Sequence, residues 1–134
     1  MGIPATLISI CSFSLLFLLT ACEGSTDSTW SVTNESSGAI TVKAVRQAVN
    51  DTIVEQVSRG GSSIIAIISD EKGNGDPLLP YDIFPFFEVR NEQGELMKKN
   101  YTDRTNWEIF IEQTKKRPPH WEQTYEMIVR DKDF

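Results

Sequence analysis

In the stretch QTYEMIVRD, Gln123 to Asp131, the residues Tyr125, Met127 and Val129 take alternate positions, with Glu126, Ile128 and Arg130 on the opposite side. A period of two sorts side chains onto the two faces of an extended strand, and no helix keeps such a set on one side. NWEIFIEQ, Asn106 to Gln113, repeats the pattern: Trp107, Ile109 and Ile111 face one way, and Glu108, Phe110 and Glu112 the other. A strand that is apolar on one face has to be covered by a second layer, so these segments commit the chain to packed sheets.

Shorter segments fill out the layers. AITVKAV, Ala39 to Val45, sets Ile40, Val42 and Ala44 against Thr41 and Lys43. DTIVEQV, Asp51 to Val57, and SSIIAII, Ser62 to Ile68, are β-branched runs joined by the turn signal SRGG, Ser58 to Gly61, although the second run also fits one buried turn of helix. FFEVR, Phe86 to Arg90, leads through NEQG, Asn91 to Gly94, into ELMKKNY, Glu95 to Tyr101, as a hairpin, and WSVTN, Trp30 to Asn34, opens the series. The expected fold is all-β, an antiparallel β-sandwich of about seven to eight short strands over residues 30–134. At roughly 105 residues this is one domain with one core.

Charge divides the chain more sharply than hydropathy does. All 13 Lys and Arg and all 19 Asp and Glu of the 134 residues follow Cys22, so the net charge of −6 belongs wholly to the later part. The basic residues there are scattered, which argues against nucleic acid as a partner and against a basic patch for anionic lipid.

The uncharged segment admits several readings. Pro4 and the hydroxyl residues between Thr6 and Ser14 confine its strongly apolar part to Phe13 to Leu19, the length of a signal-peptide core rather than of a membrane span. The opening MGIPAT fits a myristoylation pattern at Gly2, but that modification needs a cytosolic N-terminus, which an export signal contradicts. LTAC, Leu19 to Cys22, resembles a bacterial lipobox: a branched aliphatic residue, two small residues that a peptidase subsite admits, then the cysteine that receives diacylglycerol. On this reading residues 1–21 are a signal peptide cleaved between Ala21 and Cys22, Cys22 carries the lipid, and residues 22–29, ending in the polar run EGSTDST, are a flexible tether. No Lys or Arg precedes the apolar core, as such signals usually have, and a plain secretory signal or an uncleaved anchor stays open.

The lipobox together with SVTNESSGAITV, NDTIVEQV, RTNWEIF and the terminal YEMIVRDKDF is similar to small uncharacterised lipoproteins of Bacteroidota. The resemblance implies a lipid-anchored protein of the cell envelope, placed on the outer membrane, with a β-rich domain; it supplies no catalytic residues. The triplets at Asp27 to Thr29 and Asp51 to Ile53 are similar to O-glycosylation sites of that group, which makes Ser28 and Thr52 candidate acceptors. The N-x-[ST] triplets at Asn34, Asn50 and Asn100 matter only in a eukaryotic secretory route.

Little in the chain reads as chemistry. DEKGNGD, Asp70 to Asp76, has the acidic and glycine content of a calcium loop, but Lys72 stands where a third ligand belongs, so a polar loop is expected. Glu108 with Glu112, and Asp131 with Asp133, read as solvated strand carboxylates, and His120, the only histidine, sits in the proline-bounded loop RPPHW. The expectation is a non-catalytic binding or structural domain with no metal and no cofactor. PLLPYDIFPFF, Pro77 to Phe87, is the segment whose apolarity exceeds what a strand needs, and Tyr81, Phe84 and Trp121 are its candidate surface for a protein or glycan partner. An envelope inhibitor or immunity-type protein that blocks an enzyme through this loop is the competing expectation.

Overall fold

The computed structural model describes residues 23–134. The expected signal peptide, the expected cleavage between Ala21 and Cys22 and the expected lipidation of Cys22 lie outside the described residues.

Seven strands and one helical turn follow in order: β1 Ser25–Asn34, β2 Ile40–Arg46, β3 Asp51–Val57, β4 Ser62–Asp70, α1 Pro80–Ile83, β5 Phe86–Asn91, β6 Glu108–Lys116 and β7 Pro119–Val129. They form a four-stranded sheet in the order β4-β1-β7-β6 and a three-stranded sheet in the order β3-β2-β5. The apolar faces read from the sequence point inward. Tyr125, Met127 and Val129 of β7 and Ile40, Val42 and Ala44 of β2 are buried, together with Trp30, Val32, Phe84, Phe87, Val89 and Trp107. One core thus lies between two sheets, the all-β sandwich that the alternation requires.

Four expectations need correction. The sandwich is not wholly antiparallel: β1 and β7 run parallel, with Trp30 beside Tyr125 and Val32 beside Met127, so the first and last strands meet at the centre of the larger sheet. Residues 25–29, expected in a flexible tether, are strand instead: β1 begins at Ser25 and alternates from its first residues, with Thr26 and Ser28 facing inward. Those hydroxyls tolerate burial because the chain supplies partners for them, as described below. Segment Glu95 to Tyr101 does not form a strand. A single bridge, Leu96 to Arg90, the bond from Met97 N–H to the Val89 carbonyl and the turn contacts between Asn91 and Glu95 tie it to β5. Lys98 N–H then donates to the Asp133 carbonyl, and Lys99 Nζ lies 3.0 Å from the Asp133 carboxylate, drawing the segment toward the C-terminus. Finally, Pro119 and His120 belong to β7, since Lys116 pairs with Pro119 across a tight hairpin.

Ser62 to Ile68 is a strand rather than a helical turn, and it carries a bulge. Trp30 pairs with Ala66 and Ser31 with Ile64, so Ile65 is the extra residue and both Ile65 and Ala66 point into the core.

Candidate functional site

The loop residues Gly73 to Phe84 cross the end of the sandwich where β1 and β7 begin. Thr26 Oγ1 donates to the Lys72 carbonyl at 2.7 Å and accepts from Asn74 N–H at 3.0 Å. Gln123 Nε2 donates to the carbonyls of Asn74 (3.2 Å) and Asp76 (2.9 Å), while its Oε1 accepts from the Tyr125 hydroxyl at 2.6 Å. That hydroxyl also accepts from Leu78 N–H at 2.7 Å. Three inward polar side chains, on the first and last strands, therefore hold the loop by its backbone. Burial raises the Tyr125 phenol above its ordinary value, partly offset by the bond from Leu78.

Beside this network lies a pocket of about 120 Å³ lined by Thr26, Ser28, Asp70, Asn74, Asp76 and Gln123 on its polar side and by Ile68, Leu78 and Ile83 on its apolar side. Its mouth carries two carboxylates, and its polar floor is already occupied by the contacts that hold the loop.

The expected partner surface divides. Pro80 stands at the first position of α1 and is buried, and Phe84 N–H closes the turn on the Pro80 carbonyl at 2.8 Å. Phe84 is not a surface residue at all: it is fully buried, edge-on to Trp30 at 5.6 Å and parallel to Trp107 at 6.4 Å. Tyr81, between those two anchors, is 51 % exposed. Trp121 is half-buried, its ring so close to Gly75 that a Cβ there would come within 2.9 Å of it. Of the three expected residues the structure brings Phe84 and Trp121 into packing roles and leaves Tyr81 outward, with Phe86 at the start of β5 as a second exposed aromatic of the segment.

Of the two candidate glycan acceptors, Thr52 is exposed on the edge strand β3, whereas Ser28 is 2 % exposed and faces Gln123. Ser28 is removed as an acceptor by that burial. Asn34 is likewise fully buried, donating to the carbonyls of Gly38 (2.8 Å) and Val57 (2.9 Å) and accepting from Ser36 N–H at 2.9 Å.

The two carboxylate pairs differ: Asp131 and Asp133 have structural tasks. Glu108 and Glu112 are exposed on β6. Asp131 accepts from the backbone N–H and hydroxyl of Ser37, both at 2.9 Å, which holds its carboxyl below the ordinary value. Asp133, expected on a solvated face, is instead buried between Lys99 and the Arg130 N–H. In the Asp70 to Asp76 loop, Asp70 and Asn74 accept from backbone N–H groups two residues on. No group of three or more His, Cys, Asp or Glu that could hold a metal ion occurs among the described residues.

Sequence reasoning missed one cluster. Ser25 Oγ lies 2.6 Å from His120 Nδ1, and the carboxylates of Asp27 and Glu122 lie 3.6 and 3.9 Å from Nε2. Only the parallel pairing of β1 with β7 sets Ser25 beside His120 and Asp27 beside Glu122, and period-two alternation does not encode which strands pair. The group stands on the outer face of the larger sheet, with the Asp27 side chain 48 % exposed, where water screens it.

Among the described residues no helix is long and apolar enough to cross a membrane. No family model, no curated protein and no solved structure matches the chain.

Proposed function

We propose that this chain is a bacterial cell-envelope lipoprotein, anchored at the outer membrane through an acylated Cys22 and presenting a non-catalytic β-sandwich that binds or scaffolds a partner. The observation that carries the reading is the junction at Cys22: an uncharged apolar run ending in LTAC on one side, and every charged side chain of the protein on the other. Each buried CH₂ of an acyl chain contributes about 0.8 kcal/mol, so two or more chains hold a protein at a membrane without any contact from its folded part. The start of β1 at Ser25 fits a domain held close to that anchor, with Glu23 and Gly24 between. Gly24 takes a left-handed φ of 70°, and a Cβ there would stand 2.2 Å from the Pro119 carbonyl oxygen, so the chain leaves the sheet along a path that only glycine permits.

The exposure of Thr52 supports O-glycosylation there as the finer part of this reading. A second reading, an inhibitor or immunity-type protein that blocks an envelope enzyme, is favoured by one feature: Tyr81 projects from a turn fixed on both sides by the buried Pro80 and Phe84, a pre-organised aromatic anchor of the kind that dominates interfaces.

Metabolic labelling with a radioactive or clickable fatty acid tests the anchor. Label is expected on the wild-type protein and absent from Cys22→Ser; label that persists in Cys22→Ser overturns the reading, and unlabelled Cys22→Ser still in the membrane fraction points to an uncleaved helix. Crosslinking in intact cells with wild-type and Tyr81→Ala protein separates the two roles. An inhibitor loses its crosslinked partner in Tyr81→Ala, and a scaffold held by its sheet faces keeps it.

A further inference from the structure

Strand β4 is an edge of the larger sheet: β1 pairs with one side of it, and among the described residues no strand pairs with the other. An edge strand offers a row of unpaired N–H and C=O groups to any second strand of matching pattern. The outward side chains Ile64 and Ile67 are 58 % and 67 % exposed, an unusual investment of apolar surface at such an edge. Beside them runs an open groove of about 380 Å³, lined by Ile64, Ile65, Ala66 and Ile67 with Ile53 and Glu55 of β3.

What this edge fits is written in its own symmetry. From Ser62 to Ser69 its residues run exposed, half-buried, exposed, buried, buried, exposed, half-buried, exposed, the same in either direction. The bulge creates this symmetry by turning both Ile65 and Ala66 inward opposite Trp30. A two-fold axis between Ile65 and Ala66 therefore sets each residue against one of its own class in a second copy: Ile64 opposite Ile67, Ser63 opposite Ile68, Ser62 opposite Ser69. Self-complementary contacts of this kind are what an isologous dimer interface demands. Continued past the strand ends, the same pairing sets Arg59 opposite Lys72, Gly60 opposite Glu71 and Gly61 opposite Asp70 of the second copy, so the exposed Arg59 lies diagonally from two carboxylates and directly across from one lysine.

We propose that β4 pairs antiparallel with β4 of a second copy about this axis, joining two four-stranded sheets into one continuous sheet of eight. A bulge commonly turns an edge away from partners. Here it sits on the axis, and the two flanking halves, Ser62 to Ile64 and Ile67 to Ser69, carry the pairing. The inference goes beyond the anchoring proposed above and does not depend on it.

Sedimentation velocity of the full chain, in a density-matched detergent and over a dilution series, reads the outcome. The wild type is expected to sediment as a dimer, and Ile64→Lys and Ile67→Lys each as a monomer with unchanged far-ultraviolet circular dichroism. Arg59→Glu, compared at matched circular dichroism, is expected to raise the dimer dissociation constant several-fold at low salt, and adding Glu71→Arg to recover part of the loss. A wild-type monomer at every concentration overturns the proposal, as does a dimer indifferent to Ile64→Lys, Ile67→Lys and Arg59→Glu. Uptake of a foreign extended peptide along β4 in place of dimerisation overturns it too, by assigning the edge to a different partner.

Discussion

The indole of Trp30 stacks on the ring of Tyr125 with centroids 3.9 Å apart and planes 5° from parallel, across the parallel pairing of β1 and β7. Trp107 and Phe84 close around the same indole edge-on, at 5.0 and 5.6 Å. Four aromatic rings from four places in the chain thereby fix the sheet, the α1 turn and the start of β6 to one another. The Trp30 Nε1–H is buried without a hydrogen-bond partner, enclosed by those rings.

Tyr125 links this cluster to the loop, and removing its hydroxyl tests the link. Tyr125→Phe leaves Leu78 N–H without its partner and Gln123 Oε1 with only the long contact to Ser28. A loss of about 1–3 kcal/mol is expected, as a lower urea midpoint at unchanged slope. The same variant alters the alkaline limb. The folded-state phenol of Tyr125 is raised above the unfolded value, so its contribution is whole below about pH 10 and disappears as pH rises further. Wild-type stability should fall above about pH 10, and Tyr125→Phe should fall less steeply there. Parallel alkaline limbs would refute this.

The acid limb has the opposite sign. Asp131 is held down by the Ser37 N–H and hydroxyl, Asp51 by Arg46, Glu88 by Arg90 and Asp103 by Thr105. Each folded-state value lies below the unfolded one, so the stabilisation is present above about pH 4 and lost as pH falls through the folded value. Asp131→Asn is expected to be less stable than wild type at neutral pH and to lose less on acidification, with the two curves converging in acid. Chemical denaturation at stepped pH measures both curves, and a constant offset would rule out Asp131 as a contributor.

Much of the architecture was legible because alternation reports which face of a strand is buried. It placed Ile40, Val42 and Ala44, and Tyr125, Met127 and Val129, on inner faces without any knowledge of their partners. Alternation is silent on which strands pair. The parallel neighbourhood of β1 and β7, and with it the Ser25–His120 contact, arises from residues 95 positions apart. Composition misled at Thr26, Ser28 and Gln123, whose polarity reads as solvent exposure until a loop supplies backbone partners for Thr26 and Gln123. It misled again at Phe84, since a proline-rich aromatic loop looks the same in sequence whether it packs inward or projects outward.

Asn34 is a buried polar residue with every task filled, and two substitutions separate those tasks. Asn34→Ala removes the side-chain partners of the Val57 carbonyl and the Ser36 N–H, while the Gly38 carbonyl keeps the Ser36 hydroxyl at 3.0 Å, at about 1–3 kcal/mol for each group left unpaired. Asn34→Asp should be worse, because a carboxylate has no donor and would face two carbonyl oxygens. Urea midpoints in the order wild type, Asn34→Ala, Asn34→Asp are expected, and an aspartate variant as stable as wild type would show that Asn34 does not hold this corner. The same burial predicts no glycan at Asn34 when the chain passes through a eukaryotic secretory route.

Tyr81 and Phe84, three residues apart on one turn, should separate stability from recognition. Phe84→Ala removes a fully buried ring that touches Trp30, Phe87 and Trp107, and a loss of about 3–5 kcal/mol is expected. Tyr81→Ala removes a ring half in water, and its stability should stay within about 0.5 kcal/mol of wild type. Any partner that reads this end of the sandwich should therefore be lost by Tyr81→Ala at full stability, while Phe84→Ala weakens folding and binding together. Excision of the whole Pro77 to Phe84 segment cannot make this distinction, because it deletes a core ring along with the exposed one. Equal destabilisation by the two single substitutions would place Tyr81 in the core and leave this loop without a recognition residue.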